Sequence, residues 1–206
     1  MIFLLQIWGG SFYLSNKILL AIAESRPKKS KRLFRLAGWL LYILGVPAWV
    51  IILISQQNWI AASIEVGGVP SMLLGLYNVY EKKEISSKRF DIIARSVAYV
   101  SLALGLGYSI HENGGINSVT QLLELVIMTG FLLGSYFLAR NNSSGWLFFM
   151  LTNGSMAILM FIQNAPILLI QQIFSLFFVC YGYTLAIKSN KNANNAINRT
   201  ENTSAF

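Results

Sequence analysis

Apolar blocks, each about 20 residues long, recur along the whole chain with only short polar breaks between them. A bilayer core about 30 Å thick is crossed by one helix of that length. Helices in a soluble core are amphipathic, with an apolar stripe and a polar back. Blocks that are greasy all round exclude that alternative. Charged residues make up only 12% of the chain, about half the share in a soluble domain. The expectation is an all-α, polytopic membrane protein.

Seven transmembrane helices are expected, over about 2–23, 38–55, 59–79, 91–109, 119–139, 145–163 and 166–187. The first is the most polar, being interrupted by Ser15, Asn16 and Lys17. It does not read as a signal peptide, because no basic region opens it and no small-residue cleavage site precedes the charged stretch.

The net charge of +8 is not spread evenly. Arg26, Lys28, Lys29, Lys31, Arg32 and Arg35 follow span one, Lys82, Lys83, Lys88 and Arg89 follow span three, and Arg140 follows span five. Lys188, Lys191 and Arg199 lie in the tail. The alternate loops, Gln56-Gln57-Asn58, Ile110 to Ser118 and Gln163-Asn164-Ala165, carry no Lys or Arg. Lys and Arg favour the cytoplasm, so the expected topology has the amino terminus outside and the carboxyl terminus inside, in the cell (inner or plasma) membrane. Basic residues placed there meet anionic lipid headgroups; no basic-aromatic surface suited to nucleic acid is visible.

No cofactor is expected. Cys180 stands alone in an apolar run and reads as a small buried hydrophobe. His111, in a polar stretch with Glu112 and Asn113, has no second histidine to share a metal. No nucleophile–base pair or Walker-type glycine loop appears, so an enzyme is not expected.

The chain also resembles itself. Residues 38–75 align without gaps on 145–182, matching Gly38-Trp39-Leu40 with Gly145-Trp146-Leu147, Gln56 with Gln163, and Gly75 with Gly182. Upstream, Gly10-Ser11-Phe12-Tyr13-Leu14 resembles Gly134-Ser135-Tyr136-Phe137-Leu138. This predicts a first triple-helix repeat over 1–79, a linking helix with its loops over 80–117 and a second triple-helix repeat over 118–188; the tail over 189–206, rich in Asn, Ala, Ser and Thr, is expected to be disordered. One linking helix makes the two copies parallel, and parallel repeats place a solute site near the midplane between them.

Leu138-Ala139-Arg140, Gly145-Trp146, Asn153, Gln163-Asn164 and Tyr181-Gly182-Tyr183 resemble the carboxyl half of the PnuC family of nicotinamide riboside (vitamin B3) transporters. The resemblance extends to span count, orientation and repeat order. Leu185-Ala186-Ile187-Lys188 departs from it, standing where family members often carry an aromatic, Trp-containing end. The resemblance implies two SWEET-type bundles in a 3+1+3 layout, facilitated diffusion of the riboside into the cell for NAD biosynthesis, and a homo-oligomer, a trimer.

Six residues are candidate substrate contacts. Glu65 and Gln172 occupy equivalent places in the two halves, where lipid-facing polar groups are expensive. Gln121 and Glu124, three apart, share a face of span five. Asn153 can bond a ribose or carboxamide, or simply a neighbouring helix. Trp49 offers an indole face to a cationic ring, or bulk to lipid. Trp39 and Trp146 read as interfacial belt residues, and Lys17 and Arg95 as snorkelling to the cytoplasmic interface. Two other functions fit the same pattern: a transporter of another small polar solute, such as a sugar, and a seven-helix receptor. A retinal protein needs a lysine within helix seven, where only Lys188 stands, at its end.

Overall fold

The computed structural model describes residues 2–55, 59–81, 88–164 and 166–204. The expected loop residues Gln56, Gln57, Asn58, Lys82, Lys83 and Ala165 lie outside them. Among the described residues the chain is all-helical, with seven helices: α1 (Ile2–Glu24), α2 (Lys28–Ser55), α3 (Trp59–Tyr80), α4 (Lys88–Asn113), α5 (Val119–Ala139), α6 (Ser144–Ile162) and α7 (Pro166–Ser204).

Five helices, α2, α4, α5, α6 and α7, are long and apolar enough to cross a membrane, which makes the chain a helical membrane protein. Helices α1 and α3, of 23 and 22 residues, are also long and largely apolar, with polar residues placed within their length. Several of these point inward: Asn16 and Lys17 of α1 and Ser71 and Asn78 of α3 are buried.

Three boundaries differ from expectation. The basic stretch after α1 is not a loop: α2 begins at Lys28, and Lys31 N–H donates to the Pro27 carbonyl at 2.9 Å. Lys, Arg and Leu are good helix formers, and no glycine or proline interrupts 28–37. At its far end α4 takes in His111 and Glu112, stopping where Gly114 and Gly115 adopt φ of 64° and 132°. Gly115 N–H reaches back to the Ile110 carbonyl at 3.0 Å, the bond of a Schellman stop. Helix α7 continues to Ser204, through the segment whose composition predicts disorder; that segment has no proline to stop it and contains Lys and Ala.

The packing order is a ring. Helix α1 packs on α2 and α7, α2 on α3, α3 on α5, α5 on α6, and α6 on α7, while α4 packs outside the ring on α3 and α5. Helix α4 leaves a broad apolar surface exposed, including Ile92, Ile93, Val100 and Leu104, as a lipid-facing helix does.

Two tryptophans hold the ring together from within. Trp39 and Trp146 are fully buried, each 1% exposed, which corrects the interfacial-belt reading. Trp39 lies against Gly75 of α3, and Trp146 against Gly182 of α7. Gly38 seats α2 on Leu20 of α1, and Gly145 seats α6 on Leu138 of α5. Asn16 Nδ2 donates to the Gly38 carbonyl at 3.0 Å, and Asn78 Nδ2 to the Ala139 carbonyl at 3.0 Å, so two buried amides tie α1 to α2 and α3 to α5. Cys180 is exposed on α7 rather than buried.

Candidate functional site

The ring's interior is built by helical spacing. On α1, Tyr13, Asn16, Lys17 and Leu20 recur every three or four residues and so share one face. Tyr42 and Trp49 do the same on α2, Phe131 and Ser135 on α5, and Phe149 and Asn153 on α6. These faces meet at the centre.

Lys17 lies at the centre of this meeting, 5% exposed. Its ammonium sits 3.3 Å from the Phe149 ring centroid and 4.5 Å from that of Tyr42. Both distances are well within the range of cation–π attraction. The interfacial reading of Lys17 is therefore wrong. Counting residues from the charged end of the span gives depth, but not which way the helix is turned. The informative signal is its four-residue spacing from Tyr13 and its adjacency to Asn16. Arg95, read the same way, is exposed on α4.

The Tyr13 hydroxyl donates to the carboxylate of Glu65. This bond joins α1 to α3, which do not pack against each other among the described residues. The Tyr13 ring stands edge-on to Tyr42, centroids 5.0 Å apart, and 6.0 Å from the tilted Trp49 indole. Trp49 is half-buried, and its buried Nε1–H has no acceptor among the described residues. Tyr42 Oη and Ser135 Oγ are 3.3 Å apart, linking α2 to α5. Asn153 is buried and donates to the Phe149 carbonyl at 2.6 Å, one turn from the ring that carries Lys17.

Of the six expected contacts, Trp49, Glu65 and Asn153 thus fall around one cluster, with Tyr13, Lys17 and Tyr42 at its core. Gln172 is half-buried on α7; its neighbour Gln171 is the one that donates to the Gly10 carbonyl of α1, at 3.1 Å. Gln121 is placed elsewhere. Its amide binds Ser109, the Gly115 carbonyl and the Asn117 N–H, so it is committed to the turn between α4 and α5. Glu124 is exposed on α5. The two residues differ in burial: Gln121 lies under the turn and Glu124 is exposed.

A second polar cluster closes the end of the ring where α1 passes into α2. Glu24, its side chain 6% exposed, pairs with Lys31 at 2.6 Å and Arg35 at 3.2 Å. Arg35 also donates to the side-chain oxygen of Asn141, in the turn between α5 and α6. These residues line a cleft of about 380 Å³ with Asn142, Ser143 and Trp146. Compared with family models, curated proteins and solved structures, the chain matches none.

Proposed function

We propose that the chain is a membrane transporter that takes up nicotinamide riboside, or a related nucleoside-type vitamin, by facilitated diffusion. The observation that carries this reading is the buried polar cluster at the centre of the helical ring. Ionisable groups at membrane depth are costly, and they usually mark a solute or ion path. Here Glu65 can offset the charge of a pyridinium ring, Trp49 and Tyr42 can stack on it, and the Asn153 amide can bond hydroxyls or a carboxamide.

In this reading all seven helices cross the membrane, with the amino terminus outside. Helices α1–α3 and α5–α7 are the two copies of a parallel 3+1+3 repeat joined by α4. The Gly-Trp register supports it. Trp39 meets Gly75 in one half and Trp146 meets Gly182 in the other, and the cross-half packing of α1 on α7 matches that of α5 on α3. The Glu24–Arg35–Asn141 cluster then lies at the cytoplasmic mouth. The test is uptake of labelled nicotinamide riboside by proteoliposomes holding the purified chain, compared with Glu65→Gln and Asn153→Ala.

A second reading is favoured by one observation. The ammonium of Lys17 already stands in the cluster, and it repels a positive ring. A small polar solute without fixed charge, such as a sugar, meets no such repulsion. Saturable uptake of a neutral sugar, with none of the riboside, would select this second reading.

A further inference from the structure

We propose that Lys17 is the resident occupant of a cation seat formed by Tyr42 and Phe149, and that a cationic solute binds by displacing it. This rests on the reading of the central cluster as a solute site.

The geometry is that of a bound ligand. The ammonium lies over Phe149 at 3.3 Å and within 4.5 Å of the Tyr42 centroid, as a ligand cation lies in an aromatic cage. The rings belong to α2 and α6, whereas Lys17 belongs to α1, so its four-carbon stem reaches across the interior to fill the seat. Tyr42 is itself fixed, by its contact with Ser135 and by the edge-on Tyr13 ring. The seat is therefore built by other helices, and Lys17 enters it.

Charge then decides what can share the core. One carboxylate, Glu65, and one ammonium, Lys17, face the cluster, and together they balance. A second cation entering beside Lys17 leaves one positive charge uncompensated in a low-dielectric interior, which is strongly unfavourable. A cationic solute therefore binds only when the ammonium swings out of the seat along its flexible stem. A neutral solute of the same shape carries no such cost. Lys17 is in this sense a specificity-determining residue. It sets a threshold against small cations that cannot fill the seat as well as it does, and it keeps the rings covered when no solute is bound.

The experiment measures binding to the full chain in lipid nanodiscs, by Trp fluorescence, for two matched pairs of probes. The first pair is nicotinamide riboside, which is cationic, and its neutral dihydro form. The second is 1-methylnicotinamide and neutral nicotinamide. Lys17→Met keeps an unbranched stem but removes the charge, leaving the seat empty and Glu65 unbalanced. It is expected to tighten binding of both cations about tenfold, with little change for the neutral partners. Lys17→Arg keeps the charge and is expected to leave the cations at the weak affinity of the natural chain. Equal changes for cation and neutral partner, or weaker cation binding in Lys17→Met, would overturn the proposal; so would no change for either cation. A Lys17→Met gain for 1-methylnicotinamide without riboside uptake by the natural chain would sustain the seat and reject the riboside reading alone.

Discussion

Trp146 lies against Gly182, so close that a Cβ added to the glycine would stand 2.7 Å from the indole. Trp39 stands in the same relation to Gly75. In both places an indole from α2 or α6 takes the room that a side chain on α3 or α7 would need. Gly75→Ala and Gly182→Ala are each expected to lower stability by about 1–3 kcal/mol, the usual cost of overpacking. Thermal unfolding in detergent measures it. An alanine at either position that leaves unfolding unchanged would mean that the indole moves aside freely.

The central cluster sets the second expectation. Asn153→Ala removes a buried amide, and Tyr13→Phe removes the hydroxyl that binds Glu65. A lost hydrogen bond to a buried partner costs about 1–3 kcal/mol. In the proposed site the same groups bond the solute, so uptake affinity is expected to fall roughly 5- to 150-fold, since 1.4 kcal/mol is tenfold. Glu65→Gln is expected to penalise a cationic solute more than a neutral one. Unchanged uptake by all three variants, inserted normally, would remove the cluster from the solute path.

Gln121 provides a contrast. Its amide is committed to the α4–α5 turn, through Ser109, Gly115 and Asn117. Gln121→Ala is expected to speed hydrogen exchange in that turn while leaving solute affinity as it was. A large loss of affinity with an undisturbed turn would return Gln121 to the site.

At the other end, Glu24 and Arg35 are both largely buried and paired. A double-mutant cycle with Glu24→Gln and Arg35→Gln is expected to give a coupling of about 0.5–3 kcal/mol. Burial shields the pair, so the coupling should change little between low and high salt. A coupling near zero would show that Lys31 alone holds the carboxylate.

Topology is tested by labelling. A cysteine replacing Asn113 should react with an impermeant thiol reagent added outside intact cells, and one replacing Ser30 should not. The reverse pattern would invert the orientation.

Much of the fold was legible because hydropathy is a coarse and robust signal. The apolar blocks read for α1, α3, α5 and α6 end within one residue of the helices observed, whereas α2, α4 and α7 run on beyond theirs. Facing was harder to read. Trp39 and Trp146 lie near the ends of their blocks, where tryptophans commonly form belts, yet both turn inward onto glycines. Lys17 was misjudged for the same reason: depth along a helix can be counted from sequence, but rotation about its axis is set by neighbours. Gln121 was misplaced because its partners lie in a turn whose shape depends on two glycines with positive φ. Glu65 bonds Tyr13 in the interior, as a carboxyl at mid-span is costly against lipid.

The polar character of α1 bears on how the chain is made. A lysine at the centre of a helix opposes insertion by about 2.5–3.5 kcal/mol, and α1 carries both Lys17 and Asn16. The helices that receive it are α2, synthesised next, and α7, synthesised last of the seven; the aromatic ring nearest its ammonium lies on α6. In the proposed topology, α1 is therefore poorly suited to insertion independent of its neighbours. A nascent chain halted before α6 leaves the ammonium of α1 with the Tyr42 ring of α2 but without the Phe149 ring, so stable seating of α1 is expected to depend on the second half of the protein.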